Sequence, residues 1–227
     1  MKNKIFALVP ARGGSKRIKN KNMVVVGGKP LIQYTLDIVK KCKFLDEAFV
    51  STEDEKIKEI AKRNGVKIID RPKELAKDET PMHPVIKHAI EYWKNINHEP
   101  DIVVLLQPTS PLRTVKDIDD CVKKVVEGAD SSETFIETKE TPFWMFWIKD
   151  NKAIPFDKEK LEKYQRIEDL PKSYKENGAV YVFRIKNFIA TNSIYGDDHR
   201  AVIMPKERSL DIDDSEDLEE LKRIIEE

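Results

Sequence analysis

From residue 5 to residue 22 the chain reads Ile-Phe-Ala-Leu-Val-Pro-Ala-Arg-Gly-Gly-Ser-Lys-Arg-Ile-Lys-Asn-Lys-Asn. The apolar run from Ile5 to Val9 has the character of a buried strand and stops at Pro10. Gly13 and Gly14 follow, set among five cations: Arg12, Lys16, Arg17, Lys19 and Lys21. Glycine can take φ > 0 and lets the backbone approach a ligand closely. Successive N–H groups in such a turn form a concavity for phosphate oxygens, and long cationic side chains neutralise a polyphosphate. The stretch therefore reads as a nucleoside triphosphate loop at the carboxyl end of a first strand. A solvated turn is the bland alternative. The Walker A and Gly-x-Gly-x-x-Gly patterns are both absent.

A second chemical signal is Ser209-Leu-Asp211-Ile-Asp213-Asp214. Alternate residues of an extended segment point the same way, so Asp211 and Asp213 can aim at one point while Ile212 turns into the core. Two carboxylates plus phosphate oxygens suit Mg²⁺, which keeps several waters. Asp214 reads as the cap of a last helix, with Glu216 and Asp217 in its first turn. The third signal is Gln107-Pro-Thr-Ser-Pro-Leu-Arg113. Its prolines fix a rigid turn that would present Gln107, Thr109, Ser110 and Arg113. Gln107 offers both a donor and an acceptor, as sugar hydroxyls require. Arg71-Pro72 with Leu75, Ala76 and Asp78 could line a base pocket or serve as a surface connection. Asn177-Gly178 is by itself a turn signal. Ser51-Thr52-Glu53-Asp54 reads as a capped helix start.

These segments need a scaffold, and the pattern supplies one. Strands are expected at Ile5–Val9, Ala48–Ser51, Val66–Ile69, Asp101–Gln107, Thr134–Glu137, Ala179–Phe183 and Ala201–Met204. Helices are expected from Pro30 to about Lys43, then at Glu53–Asn64, Pro81–Asn97, Thr114–Glu127 and Ser215–Ile225. Strands alternating with helices predict an α/β, doubly wound, mostly parallel sheet. Ligands bind such sheets at the carboxyl ends of strands, and the three chemical segments fall there. Residues 138 to about 175 break the rhythm, with Pro142, Pro155 and Pro171 and the aromatics Phe143, Trp144, Phe146 and Trp147. An inserted arm that makes a dimer contact is expected; the alternative is that its aromatics close the domain's own core.

The 227 residues suffice for one sizeable domain. Lys+Arg and Asp+Glu are equal at 41, so net charge gives no argument for a nucleic-acid partner. Cys42 and Cys121 lack metal-ligand spacing and read as free thiols. No signal-like start or 18-residue apolar run is visible, and the expectation is a soluble, cytoplasmic protein.

Taken together, the segments resemble the cytidylyltransferases that activate acidic nine-carbon sugars, the acylneuraminate cytidylyltransferases or CMP-sialic acid synthetases. The matching stretches are Pro10 to Lys16 with Lys21-Asn22, Gly28 to Leu31, Ser51-Thr52 with Asp54, and Arg71-Pro72 with Leu75-Ala76 and Asp78. Gln107 to Arg113, Asn177 to Tyr181, and Asp211-Ile212-Asp213 complete the set, in the family's order from residue 5 to 217. The resemblance implies a Rossmann-like nucleotidyltransferase fold, with a mostly parallel twisted sheet flanked by helices. It implies one domain over residues 1–227 with a dimerisation arm near 138–175, a homodimer, CTP as donor and Mg²⁺. Ala11, Arg12, Gly13, Gly14, Ser15, Lys16 and Lys21 would meet the triphosphate, and Asn22 and Arg71 the cytosine side. Gln107, Arg166 and Tyr181 would face the sugar; Asp211 and Asp213 would hold the metal. Arg12, Lys21 and Asp211 would carry catalysis, and the arm would reach the neighbouring subunit's sugar site.

Some positions depart from the family pattern. Thr80-Pro81-Met82 stands beside the base, Trp144 where some members place a lysine, and Lys175 where an arginine is common. The acceptor is thereby left open among N-acetylneuraminate, legionaminate, pseudaminate and 3-deoxy-manno-octulosonate. GTP as donor also stays open. Arg166 and Lys175 could clamp either a sugar carboxylate or a sugar 1-phosphate. A nucleotide-binding member without turnover is the non-enzymatic alternative.

Overall fold

Strand β1, Ile5–Pro10, is buried along its whole length, as an apolar run covered on both faces must be. In the computed structural model, which describes residues 3–226, it lies inside a seven-stranded sheet. A short ribbon of β2 (Val25–Val26) and β3 (Lys29–Pro30) follows the first loop. Pro30 then caps α1, Leu31–Val39. This helix ends four residues before the expected Lys43. Lys41 and Cys42 donate their N–H groups three residues back, tightening the last turn, and Cys42 is thereby buried. Next come β4 (Glu47–Thr52), α2 (Glu55–Arg63) and β5 (Lys67–Asp70). Asp54 caps α2 by accepting from the N–H groups of Lys56 and Ile57, and Gly65 follows its end at φ +69°, as the spacing predicts.

Helix α3, Met82–Asn95, leads to β6, Ile102–Leu105. Helix α4, Val115–Val126, begins with a capping box between Thr114 and Asp117 and leads to β7, Ser131–Thr138. The chain then leaves the sheet for the hairpin β8 (Phe146–Lys149) and β9 (Lys152–Pro155) and for α5, Lys158–Lys163. It returns as β10, Ser173–Arg184, far longer than the expected Ala179–Phe183, because its first residues pair with the end of β7. A helix not anticipated from sequence, α6 (Ile185–Thr191), follows, then β11 (His199–Ile203) and α7 (Ser215–Glu226).

The sheet order is β11-β7-β10-β6-β1-β4-β5. All neighbours pair in parallel except β10, which runs antiparallel to both β6 and β7. Ile5, Ala7 and Val9 pack with α1, α2 and α4 on one face. Phe6 and Leu8 pack with α3 and α6 on the other. Among the described residues, no helix is long and apolar enough to cross a membrane.

The aromatics of the projecting segment do not close the domain's core. Trp147 and Ile148 are 62% and 72% exposed. Within the arm, Trp147 stacks on Phe156 at 4.4 Å and Phe143 on Tyr164 at 5.5 Å.

Arg113 is the unexpected core residue. The sequence reading placed it at the sheet's edge, yet it is 2% exposed. Its guanidinium donates to the carbonyls of Ala179 and Gln107 and, at 2.7 Å, to Thr35 Oγ1. Its planar fork of donors lets it reach acceptors on three separate segments at once. Arg113→Ala should strand them and lower the unfolding free energy by about 3 kcal/mol or more. A urea midpoint unchanged from wild type would contradict the role of clamp.

Candidate active site

After β1 the chain adds β4 and β5 on one side, then crosses to place β6 on the other. The switch point therefore lies between the carboxyl ends of β1 and β6, where α/β sheets leave a crevice. Two adjoining clefts open there. The first, of about 330 Å³, is lined by residues of the glycine loop together with Arg71, Gln107, Asp211 and Asp213. The second, of about 510 Å³, is lined by Gln107, Lys175, Glu176, Tyr181, Lys206 and Asp211, among others. Gln107 and Asp211 line both.

The loop after β1 is held by hydrogen bonds rather than by glycine's left-handed conformations. Neither Gly13 nor Gly14 adopts a positive φ, although the sequence allowed it. Gly13 is needed for space: a Cβ there would stand 2.4 Å from Asp54 Oδ2 and 2.8 Å from Asp54 Cβ. Its N–H donates to Glu53 Oε1 at 2.8 Å. Gly14 has open space around it. Ala11 is fully buried and donates its N–H to the Ser51 carbonyl, so it anchors the loop rather than lining the cleft. Ser15 lines the first cleft. Asn22 lines the first cleft and, largely buried, donates through Nδ2 to the Arg12 carbonyl at 2.9 Å, so it also braces the loop.

The cations are arranged by carboxylates. Arg12 donates to the Gly14 carbonyl at 2.6 Å and is ion-paired to Asp78. Lys16 stands 3.4 Å from the same carboxylate but is itself largely in solvent. Burial works against ionisation of Asp78, but the hydrogen bonds and charge of Arg12 and Lys16 outweigh it and hold the carboxyl below its usual range. Lys21 donates to the Ile212 carbonyl at 2.5 Å and lies 3.4 Å from Asp213 Oδ1. Arg71 is buried, donating to Ser51 Oγ at 3.1 Å and to the Ser51 carbonyl at 2.7 Å. Burial pushes its guanidinium down to about 10; at neutral pH it remains a cation on the cleft wall.

The two aspartates fall as their alternation requires. Ile212 is fully buried between them, and its N–H donates to the Thr109 carbonyl at 2.8 Å. Asp211 is half-buried and its Oδ1 has no hydrogen-bond partner. Burial pushes its carboxyl upward; Asp213 adds to this, while Thr109 and Lys21 oppose it. Asp213 is exposed and pairs with Lys21 and, at 3.9 Å, with Arg17. Asp214 caps α7 by accepting from the N–H groups of Glu216 and Asp217. Among the described residues, no cluster of three acidic, histidine or cysteine side chains could hold a metal alone. A magnesium ion that keeps its waters and takes phosphate oxygens needs no such cluster, and the orphaned Asp211 Oδ1 fits one.

Lys175 and Tyr181 do reach the second cleft. Arg166 lines neither: it sits on the arm, 67% exposed, paired with Asp169 at 3.2 Å. The sequence reading missed Thr109's bond to Asp211 and the presence of Glu176 and Lys206 in the second cleft. Lys206 was findable, because it follows strand β11 just as Asp211 does. Glu176 was not, because a register shift places it.

A family model described as Cytidylyltransferase matches residues 6–227. The N-acylneuraminate cytidylyltransferase of Escherichia coli O18:K1:H7 is 32% identical over 96% of this chain and 51% of its own length. The chain thus spans about half of that relative. The pseudaminic acid cytidylyltransferase of Campylobacter jejuni serotype O:2 is 33% identical, over 96% of this chain and 94% of its own length. A solved CMP:2-keto-3-deoxy-manno-octonic acid synthetase complexed with CTP superposes with a TM-score of 0.71 at 17% identity, covering 98% of each chain. It establishes the shared fold.

The two loop glycines separate experimentally. Gly13→Ala must displace Asp54, the cap of α2, and should lower the unfolding free energy by roughly 1–3 kcal/mol. Gly14→Ala should change it by less than about 0.5 kcal/mol. Equal midpoints for the two variants would show that the close approach to Asp54 does not constrain the loop.

Proposed function

We propose, since the chain belongs to the cytidylyltransferase family, that it transfers the cytidylyl group of CTP to the anomeric hydroxyl of an acidic nonulosonic sugar, releasing pyrophosphate. One observation carries this reading: two clefts of different lining meet at Gln107 and Asp211. A nucleotide in the first and a sugar in the second would bring an α-phosphate and a hydroxyl together at that junction.

The nucleotide cleft has the charge its ligand needs. Arg12 and Lys21 face the triphosphate, with Ser15 and the open backbone at Gly14 beside them. Arg71, held by Ser51, and Thr80 form the far wall, where the cytosine would lie. In the acceptor cleft Gln107 and Tyr181 offer groups for sugar hydroxyls, and Lys175 and Lys206 offer cations for the sugar's carboxylate. The anomeric oxygen attacks the α-phosphorus in line. A new O–P bond forms, the bond to the β-phosphate breaks, pyrophosphate leaves and the hydroxyl proton passes to solvent. No histidine lines either cleft among the described residues, so catalysis rests on positioning and charge neutralisation. Asp211 and Asp213 are the residues to hold Mg²⁺, which when bound neutralises phosphate charge and lowers the hydroxyl's pKa.

The arm supports a homodimeric reading. Its apolar hairpin is exposed, and Arg166 on it lies outside this chain's own clefts. A second copy would use the hairpin as a contact and receive Arg166 at its acceptor cleft.

Pyrophosphate release should be measured with Mg²⁺, crossing CTP, GTP, UTP and ATP against N-acetylneuraminate, legionaminate, pseudaminate and a hexose 1-phosphate. Release with CTP and a nonulosonic acid is the expected outcome, and release only with the sugar phosphate would overturn the acceptor class. Asp211→Asn should cut kcat by at least about 100-fold while leaving the fold intact by circular dichroism. Full activity of that variant would remove Asp211 from the reaction. Replacing residues 146–155 with a short Gly-Ser linker should turn a dimer into a monomer in sedimentation; a surviving dimer would place the contact elsewhere.

A further inference from the structure

The acceptor cleft has a wall that the transfer chemistry leaves unused. Behind it stands Glu133 on β7, 1% exposed, with Oε1 lacking any hydrogen-bond partner. Glutamate is almost never buried so completely without a partner. The groups facing it come from every neighbouring element. Tyr181 on β10 is directly opposite in the ladder. His199 on β11 brings Nε2 to 3.4 Å from Glu133 Oε2. That ring is spoken for at Nδ1 by Ser131 Oγ at 2.7 Å, and burial disfavours its charged form. Tyr195, from the connection after α6, meets His199 edge-on at 5.3 Å and donates to Glu176 Oε2 at 3.2 Å. Cys121 on α4 faces it more remotely.

The remaining neighbour is Glu176, and its position is a consequence of backbone geometry. Tyr181 lies five positions further on, an odd offset, so a regular strand would turn the two to opposite faces. The pairing of β10 with β7 shifts register between these residues, and Gly178 inside the shift takes φ +72°. The irregularity re-aims Glu176, as bulges beside sites do, so that Glu176 and Tyr181 line the same cleft. It also brings Glu176 within hydrogen-bonding reach of Glu133. Two carboxyl groups can bond to each other only by sharing a proton.

We propose that Glu133 is a positioning residue that shares one proton with Glu176 and so holds this wall of the acceptor cleft at a single negative charge, admitting an anionic sugar. The inference rests on the cytidylyl-transfer reading. Burial, with the hydrogen bond and charge of Glu176, pushes Glu133 up to about 8. Below that pH the pair carries one negative charge; above it, two. A second charge beside the cleft repels a carboxylate-bearing acceptor, by about fivefold at separations and screening typical of a protein surface. CTP binds beyond Gln107 and Asp211 and feels less of it.

The test is KM for the acceptor and for CTP between pH 6.5 and 9 in wild type and Glu133→Gln, alongside a carboxyl-carbon NMR titration of the free protein. Expected in wild type are a rise of about fivefold in acceptor KM, little change in CTP KM, and a carboxyl resonance titrating near pH 8. Glu133→Gln should abolish that resonance and flatten the acceptor profile while keeping kcat at neutral pH. Parallel profiles in the two proteins, with turnover intact, would overturn the role in acceptor binding. Absence of the resonance would overturn the shared proton itself. No turnover with any nonulosonic acid would instead sink the transfer reading, and this inference with it.

Discussion

The carboxyl edge of the sheet is held by one buried guanidinium. Arg113 reaches the Gln107 carbonyl after β6, the Ala179 carbonyl in β10, and Thr35 on α1. Burial pushes its proton affinity down to about 9, still above neutral pH, so it acts as a fixed cation in an apolar setting. Such a group is stable only where acceptors converge on it. The consequence is geometric. The Gln107 turn and the irregular part of β10 form facing walls of the second cleft, and both are tied to the same side chain.

The rest of the site follows from that edge. Gln107 is fixed where the two clefts meet, and the Thr109 carbonyl pins Ile212. Pinning Ile212 sets Asp211 towards the junction and Asp213 towards Lys21. The glycine loop is braced separately, through Asn22 to the Arg12 carbonyl and through Glu53 to the Gly13 N–H. Two rigid frames, one on each side of the switch point, thus present cations on one side and carboxylates on the other. Preorganised charge of this kind is what phosphoryl chemistry demands of a protein.

The one antiparallel strand of the seven-stranded sheet, β10, shapes the second cleft. Because β10 returns from the projecting segment, it runs against β6 and β7. Its entry therefore lies at the carboxyl ends of its neighbours, beside the clefts. Lys175, Glu176 and Tyr181 are delivered to the site by this reversal, whereas a parallel strand would have delivered its other end.

Local sequence determined the order of strands and helices, the buried central runs, the capping residue Asp214, and the Asp211-Ile212-Asp213 alternation. Each depends on residues within a few positions of one another, through hydrophobic period or short-range hydrogen bonds. The glycine loop, the Gln107 turn and the two aspartates were legible for the same reason, since they stand where strands end. Tertiary structure alone decided that Arg113 turns inward, that Ala11 and Asn22 brace the loop, and that Arg166 stays away from its own clefts. It also decided that Gly13 is required by its closeness to Asp54 and not by its φ, and that Glu176 meets Glu133. Those of Arg113, Ala11, Gly13 and Glu176 rest on contacts between segments 40 to 78 positions apart, or on a register shift between two strands, while Asn22 reaches a carbonyl 10 positions back. No periodicity along the chain encodes which distant acceptor a buried side chain will find.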